Sequence, residues 1–237
     1  MAKSTSHSTI RKDISRSLLD LAQVLQLNTN GVVRNPETLI SSANTAIIDR
    51  KDGVWLYSVD RLSLEVDLPQ NTLPIACLSP LNIELSIEVK GHCDRLEDGE
   101  LEHLILNLMI SSGDSNYCAW HFDRHTEEGN TVDAHPLYHF QHGGHAMKTH
   151  SDHLGKTLIL PAPRLAFPPM DAILAIDFVL SNFCGECWQS LRDDPTYVRL
   201  LKSSQRSLWK PYLTRLASWW DTGPKNDGAL RLFPHLA

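Results

Sequence analysis

The chain reads as α+β: an antiparallel β-meander packed against a central apolar helix, with flanking N- and C-terminal helices. Three observations predict this class. Ile83, Leu85, Ile87 and Val89 alternate with Glu84, Ser86 and Glu88, the period of a strand with one wet face. Met170, Ile173, Leu174, Ile176, Phe178, Val179, Leu180 and Phe183 cover nearly every side of a helix, which marks it as the buried one. Ile14, Leu18, Leu21, Ala22 and Leu25 share one face of an amphipathic helix near the N-terminus.

In chain order, the Ser/Thr-rich residues 1–10 are expected to be a disordered tail. Asn28–Gly31 stops the first helix, and Asn35-Pro36 breaks the chain before a short helix over residues 36–42. Thr45–Asp49 and Val54–Val59 flank Lys51-Asp52-Gly53, which predicts a hairpin turn between two strands. Leu62, Leu64, Val66 and Leu68 alternate and predict a further strand. A Pro-containing connection leads from Leu68 to Pro80.

The residue 83–89 strand follows. Leu104–Ile110 is more continuously apolar, as in a central strand, and Tyr117–His125 and Leu137–His142 are joined by the acidic, Gly-containing loop Thr126–Ala134. These make a meander of about four strands in a sheet of about four to six. Thr157–Leu160 adds a short extended piece. Pro161, Pro163, Pro168 and Pro169 then exclude a helix interior or central strand and predict an ordered crossing.

Pro169 suits the first turn of the apolar helix, with Asp171 at the positive end of its dipole. Asp194-Pro195 supplies an N-cap and first-turn proline for the last helical region, which Pro211 should kink or split. Residues 11–222 are expected to form a single α+β domain, with a C-terminal tail over 223–237.

Composition narrows the function classes. The 237 residues carry a net charge of −6, and no basic stripe is visible, so nucleic acid is not the expected partner. No apolar run reaches membrane-spanning length and no signal-peptide core is present, so a cytoplasmic protein is expected. Five cysteines, an odd number, fit reduced thiols better than a disulfide framework.

The stretch Tyr117–His153 holds eight of the twelve histidines. Strand alternation sorts them: His121, Asp123, His125, His139 and Gln141 should share one polar face, with Trp120, Phe122, Tyr138 and Phe140 turned to the other. Imidazoles titrate near neutrality and ligate transition metals, and a nearby carboxylate orients them. The five residues are therefore candidates for acid–base work, and His121, His125 and His139 for holding zinc or another divalent metal. The competing reading is a solvated, hydrogen-bonded face.

Cys184-Gly-Glu-Cys187 has redox or half-zinc-site spacing, but it ends an apolar helix and has no second pair, so packing competes with function there. Gly143-Gly144 reads as a turn. There is no Gly-x-Ser-x-Gly elbow, His-Glu-x-x-His pair or dinucleotide fingerprint.

The order of N-terminal helix, antiparallel meander, His135-Pro136, proline-rich crossing and apolar helix Met170–Phe183 resembles the ubiquitin-conjugating enzyme fold. That family carries a His-Pro-Asn motif with its nucleophilic cysteine a few residues beyond. Here Leu137 stands at the asparagine position and no cysteine occurs between Cys118 and Cys184. The resemblance therefore implies a non-catalytic variant that binds a protein partner, as a component of a bacterial multi-protein defence or modification system. Trp188, Trp209, Trp219 and Trp220 are candidates for its partner surface, provided they are exposed. More loosely, a His-bearing hairpin ahead of a terminal helix resembles the toxin subunits of some bacterial toxin–antitoxin pairs. That likeness implies the alternative: a His-site, metal-dependent hydrolase or ribonuclease-type toxin.

Overall fold

A computed structural model describes residues 6–67, 80–113, 116–125, 134–143, 147, 163–225 and 227–236. Helix α1 (His7–Asn28) begins inside the stretch expected to be a disordered tail, because Ser6 caps it by accepting from the Thr9 N–H. Leu18, Leu21 and Leu25 are buried as their spacing requires. Helix α2 (Thr38–Ala46) takes in residues that the sequence assigned to a strand. Leu39, Ala43 and Ala46 lie at i, i+4 and i+7 and are all fully buried, so the helical period prevails over the apparent hairpin. Lys51–Gly53 is a tight helical turn with Asp52 at φ 58° and Gly53 at φ 71°.

Among the described residues six strands follow in sequence order, every neighbouring pair antiparallel: β1 (Val54–Val66), β2 (Leu81–His92), β3 (His103–Ser112), β4 (Asn116–Arg124), β5 (Tyr138–His142) and β6 (Leu165–Ala166). The two strands expected over 54–59 and 62–68 are one. Trp55, Tyr57 and Val59 are buried at odd positions, and Leu62, Leu64 and Val66 at even ones. A bulge between Val59 and Leu62 makes the change of parity, with Arg61 at φ 49°. Asn35 pins the bulge: its amide donates to Arg61 O at 2.9 Å and its carbonyl oxygen accepts from the Ser63 N–H at 2.7 Å. Central β3 is buried on one face only, through Leu104, Leu106, Leu108 and Ile110, and Ile105 on the other is 37% exposed.

The expected connection over residues 68–79, the extended piece Thr157–Leu160, and most of the loop Thr126–Ala134 lie outside the described residues. Phe167 and the prolines 168 and 169 lead from β6 to α3 (Ala172–Phe183), which Asp171 caps by accepting from the Leu174 N–H. Pro169 thus precedes the helix by three residues. Helix α3 packs on the sheet through Phe178, stacked 4.9 Å from Phe140, and through the Ala172 N–H, which donates to the Tyr57 hydroxyl.

Helix α4 (Gly185–Arg192) continues from it. Then α5 (Pro195–Ser204) starts at Asp194, which accepts from the Thr196 and Tyr197 N–H groups. A wider, π-type turn over Gln205–Trp209 joins α5 to α6 (Lys210–Ala217). Pro211 has no N–H to continue the ordinary ladder, and the Lys210 N–H reaches back five residues to Gln205 O. Short α7 (Trp219–Thr222) and α8 (Asp227–Leu232) complete the chain. Within the expected C-terminal tail, Ala229 and Leu232 are buried, and Arg231 O accepts from the Leu137 N–H at 2.8 Å.

The core lies between the helices and the sheet face bearing Tyr57, Leu85, Leu106, Phe122 and Phe140. Among the described residues, no helix is long and apolar enough to cross a membrane.

Candidate functional site

Strands β4 and β5 pair in the register that alternation demands: His121 opposes Gln141, Asp123 opposes His139, and Phe122 opposes Phe140. The polar five therefore divide as expected, with the aromatic residues of the pair on the core side. Only His125 leaves the strand. Its N–H donates to Leu137 O just past the end of β4, and its ring stacks on His135 with centroids 3.6 Å apart. His135, which alternation did not single out, thereby joins the cluster, with its ring 4.7 Å from that of His139.

Asp123 is the hub. Its Oδ2 lies 2.7 Å from His121 Nε2, and its Oδ1 lies 3.2 Å from His139 Nε2, off the line of a good hydrogen bond. The other nitrogen of His121 meets Asn107 Oδ1 at 3.0 Å, across from β3. The other nitrogen of His139 donates to Pro136 O at 3.1 Å, since a carbonyl can only accept. His139 is buried.

Burial alone raises the Asp123 carboxyl, but the bond from His121 and the fields of His139, His121 and His135 outweigh it and hold Asp123 below the usual carboxylate range. Burial pushes His139 down, and Asp123 only partly offsets this. His135 is lowered to about 4 by burial and by His125 and Arg164 beside it. At neutral pH the centre is one carboxylate facing His135 and His139 as neutral imidazoles.

The arrangement does not gather the expected metal set. Both ring nitrogens of His121 and Nδ1 of His139 are hydrogen-bonded, His139 Nε2 faces Asp123 Oδ1, and His125 faces His135 instead. Among the described residues, no three His, Cys, Asp or Glu side chains are placed to hold a metal ion. His145, His150 and His153 lie outside the described residues. In the dithiol stretch, Cys184 joins α3 to α4 and Cys187 sits in the first turn of α4. Both pack against the core, and burial together with Cys184 pushes the Cys187 thiol up to about 12.

The tryptophans separate. Trp219 is buried, Trp188 donates to Asp177, and Trp209 donates to Pro169 O, whereas Trp220 is 75% exposed. Residues 199, 202, 206, 210, 213, 217 and 220 advance by three or four and share one helical face running through the π-type turn. All seven are exposed: Arg199, Lys202, Arg206 and Lys210, then Leu213, Ala217 and Trp220. The face is basic at one end and apolar at the other. It contains a short basic row that the sequence did not reveal, because Pro211 argued for a break in the helix that would have thrown the residues out of phase.

His135-Pro136 lies ahead of β5, and β5 and β6 follow it. Compared with known proteins, the chain matches no family model, no curated protein and no solved structure.

Proposed function

We propose that this chain is a protein-interaction module that docks a partner without catalysing a reaction, through the helical face from Arg199 to Trp220. One observation carries the reading: Trp220 is 75% exposed at the end of a row in which Leu213, at 51%, is also open. A large apolar side chain held in water at helical spacing suits insertion into a groove. The basic residues upstream suit carboxylates on the groove's rim, which steer association more than they tighten it. The non-catalytic reading agrees with the absence of a cysteine between Cys118 and Cys184.

The test places a photo-reactive benzoylphenylalanine at position 220 in the native host, identifies the cross-linked protein and reconstitutes the pair. Trp220→Ala is expected to weaken binding by about 30-fold, the worth of an aromatic hot spot, while His121→Ala leaves it unchanged. Binding indifferent to Trp220→Ala sinks the proposal, as does a cross-link only to a second copy of the chain.

A second reading, acid–base catalysis, has one observation in its favour. Among the described residues, His135 Nδ1 has no hydrogen-bond partner, and its ring is held neutral, the form that can accept a proton. If it holds, purified protein cleaves a fluorogenic RNA oligonucleotide and His135→Ala abolishes this. Cleavage no greater than that of His135→Ala removes it.

A further inference from the structure

The Cys-x-x-Cys stretch closes α3 and also opens α4. Cys184 is the N-cap of α4 and Cys187 lies in its first turn, a helix start that the apolar run before it masks in the sequence. Both thiols are free and partly accessible. Residues three apart at a helix start have their Cα atoms about 5 Å apart, within the roughly 4.4–6.8 Å that a disulfide spans. The two side chains already meet, because the Cys187 thiol is hydrogen-bonded to Cys184.

Both cysteines line a groove of about 570 Å³ between the start of α4, the turn over residues 28–32 after α1, and the end of β1. That volume suits a small ligand. A Cβ at Gly185 would meet nothing within 4 Å, so the chain between the two cysteines is open to an approaching molecule. Glu65, Asp67 and Glu186 are exposed on the groove's walls. Arg34, the one basic residue of the described lining, pairs with Glu65 at 2.7 Å, which leaves Asp67 and Glu186 to give the groove a negative balance.

We propose that Cys184 and Cys187 form a redox-active dithiol that reduces a small disulfide with positively charged ends. Cys184 Sγ, having released its proton to solvent, attacks one substrate sulfur and breaks the S–S bond. This forms a mixed disulfide, and the departing sulfur leaves as a thiolate that takes up a proton from solvent. Cys187 then gives its proton to solvent and attacks Cys184 Sγ. The second substrate sulfur leaves, is protonated in turn, and a Cys184–Cys187 disulfide remains. Two electrons pass from the dithiol to the substrate, and a thiol reductant restores the pair.

The order of attack follows from position. No side chain caps α4, and the N-terminal end of a helix favours negative charge on the residue that stands there, Cys184. Cys187 is pushed up to about 12 by burial and by Cys184, so it keeps its proton during the first step. Forming the mixed disulfide removes the part of that hold due to Cys184 and frees Cys187 for the second.

The experiment mixes the reduced full chain with cystamine, whose two ends are ammonium groups, and maps acid-quenched peptides by mass spectrometry. In the wild type the peptide spanning both cysteines is expected to lose two hydrogens. In Cys187→Ser a stable cysteamine adduct should build up on Cys184, about 10-fold faster than on Cys187 in Cys184→Ser. Dithiodiglycolate, with carboxylate ends, should oxidise the wild-type pair about 3- to 10-fold more slowly than cystamine when each rate is divided by that with mercaptoethanol. A wild-type pair that cystamine leaves reduced, or that keeps the mixed disulfide without closing, overturns the proposal. Faster attack by Cys187 than by Cys184 overturns the assigned order, and equal normalised rates with the two reagents overturn the preference for positive charge.

Discussion

Acidification tests the electrostatics of the histidine cluster most directly. His135 ordinarily titrates at 6.5 and is lowered to about 4 in the folded chain, so between those values the unfolded chain binds the proton and the folded chain resists it. The stabilisation from keeping the ring neutral is fully present above pH 6.5. It is lost as pH falls toward 4 and changes no further below that. For a wholly shielded ring the gap corresponds to roughly 3 kcal/mol, and because the ring is only partly buried, solvent screening reduces this to about 1–2 kcal/mol.

His139 is lowered too and adds in the same direction. Asp123 is lowered from 3.8, and its contribution is lost only below that value, outside a comparison made at pH 7.5 and pH 4.5. Urea unfolding of the wild type and of His135→Phe, which keeps a ring against His125, isolates the term. The wild type should lose about 1–2 kcal/mol more than the variant between the two pH values. An equal loss in both proteins, or a wild type that gains stability relative to the variant at pH 4.5, refutes the account of a neutral, desolvated His135.

Ile176→Ala removes a fully packed side chain from α3 and should cost about 2–5 kcal/mol by urea unfolding, whereas the exposed Leu213→Ala should change stability by less than about 0.5 kcal/mol. Gly91→Ala drives a methyl group into the Trp55 ring. Overpacking of this kind costs about 1–3 kcal/mol, and a change in Trp55 fluorescence or indole resonance should accompany it. Asp194→Ala leaves the Thr196 and Tyr197 N–H groups at the start of α5 without their cap, a loss of about 1 kcal/mol measurable by thermal unfolding. Cys187, its thiol pushed up to about 12, should react with a disulfide reagent at pH 8 more slowly than free cysteine does.

The sequence by itself determined the α+β class, the buried helix, expected over 170–183 and found at Ala172–Phe183, the cap at Asp194 and the division of the β4–β5 pair into a histidine face and an aromatic face. Each follows from a local rule: a period of two or of 3.6, or a side chain long enough to reach a nearby N–H. Local rules also misled. Thr45–Asp49 has strand-like composition, but the burial of Leu39, Ala43 and Ala46 against the core settled the helix.

Tertiary structure alone decided the rest. Asn35 reaches across to hold the bulge that fuses two expected strands. His135 enters the cluster from outside the alternating pattern, and hydrogen bonds to Asn107 and Pro136 occupy ring nitrogens that a metal would need. Gly91 and Trp55, whose close approach leaves no room for a Cβ, also lie far apart in the chain. No periodicity joins such residues, because what they share is a place in the packed molecule and not a spacing along it.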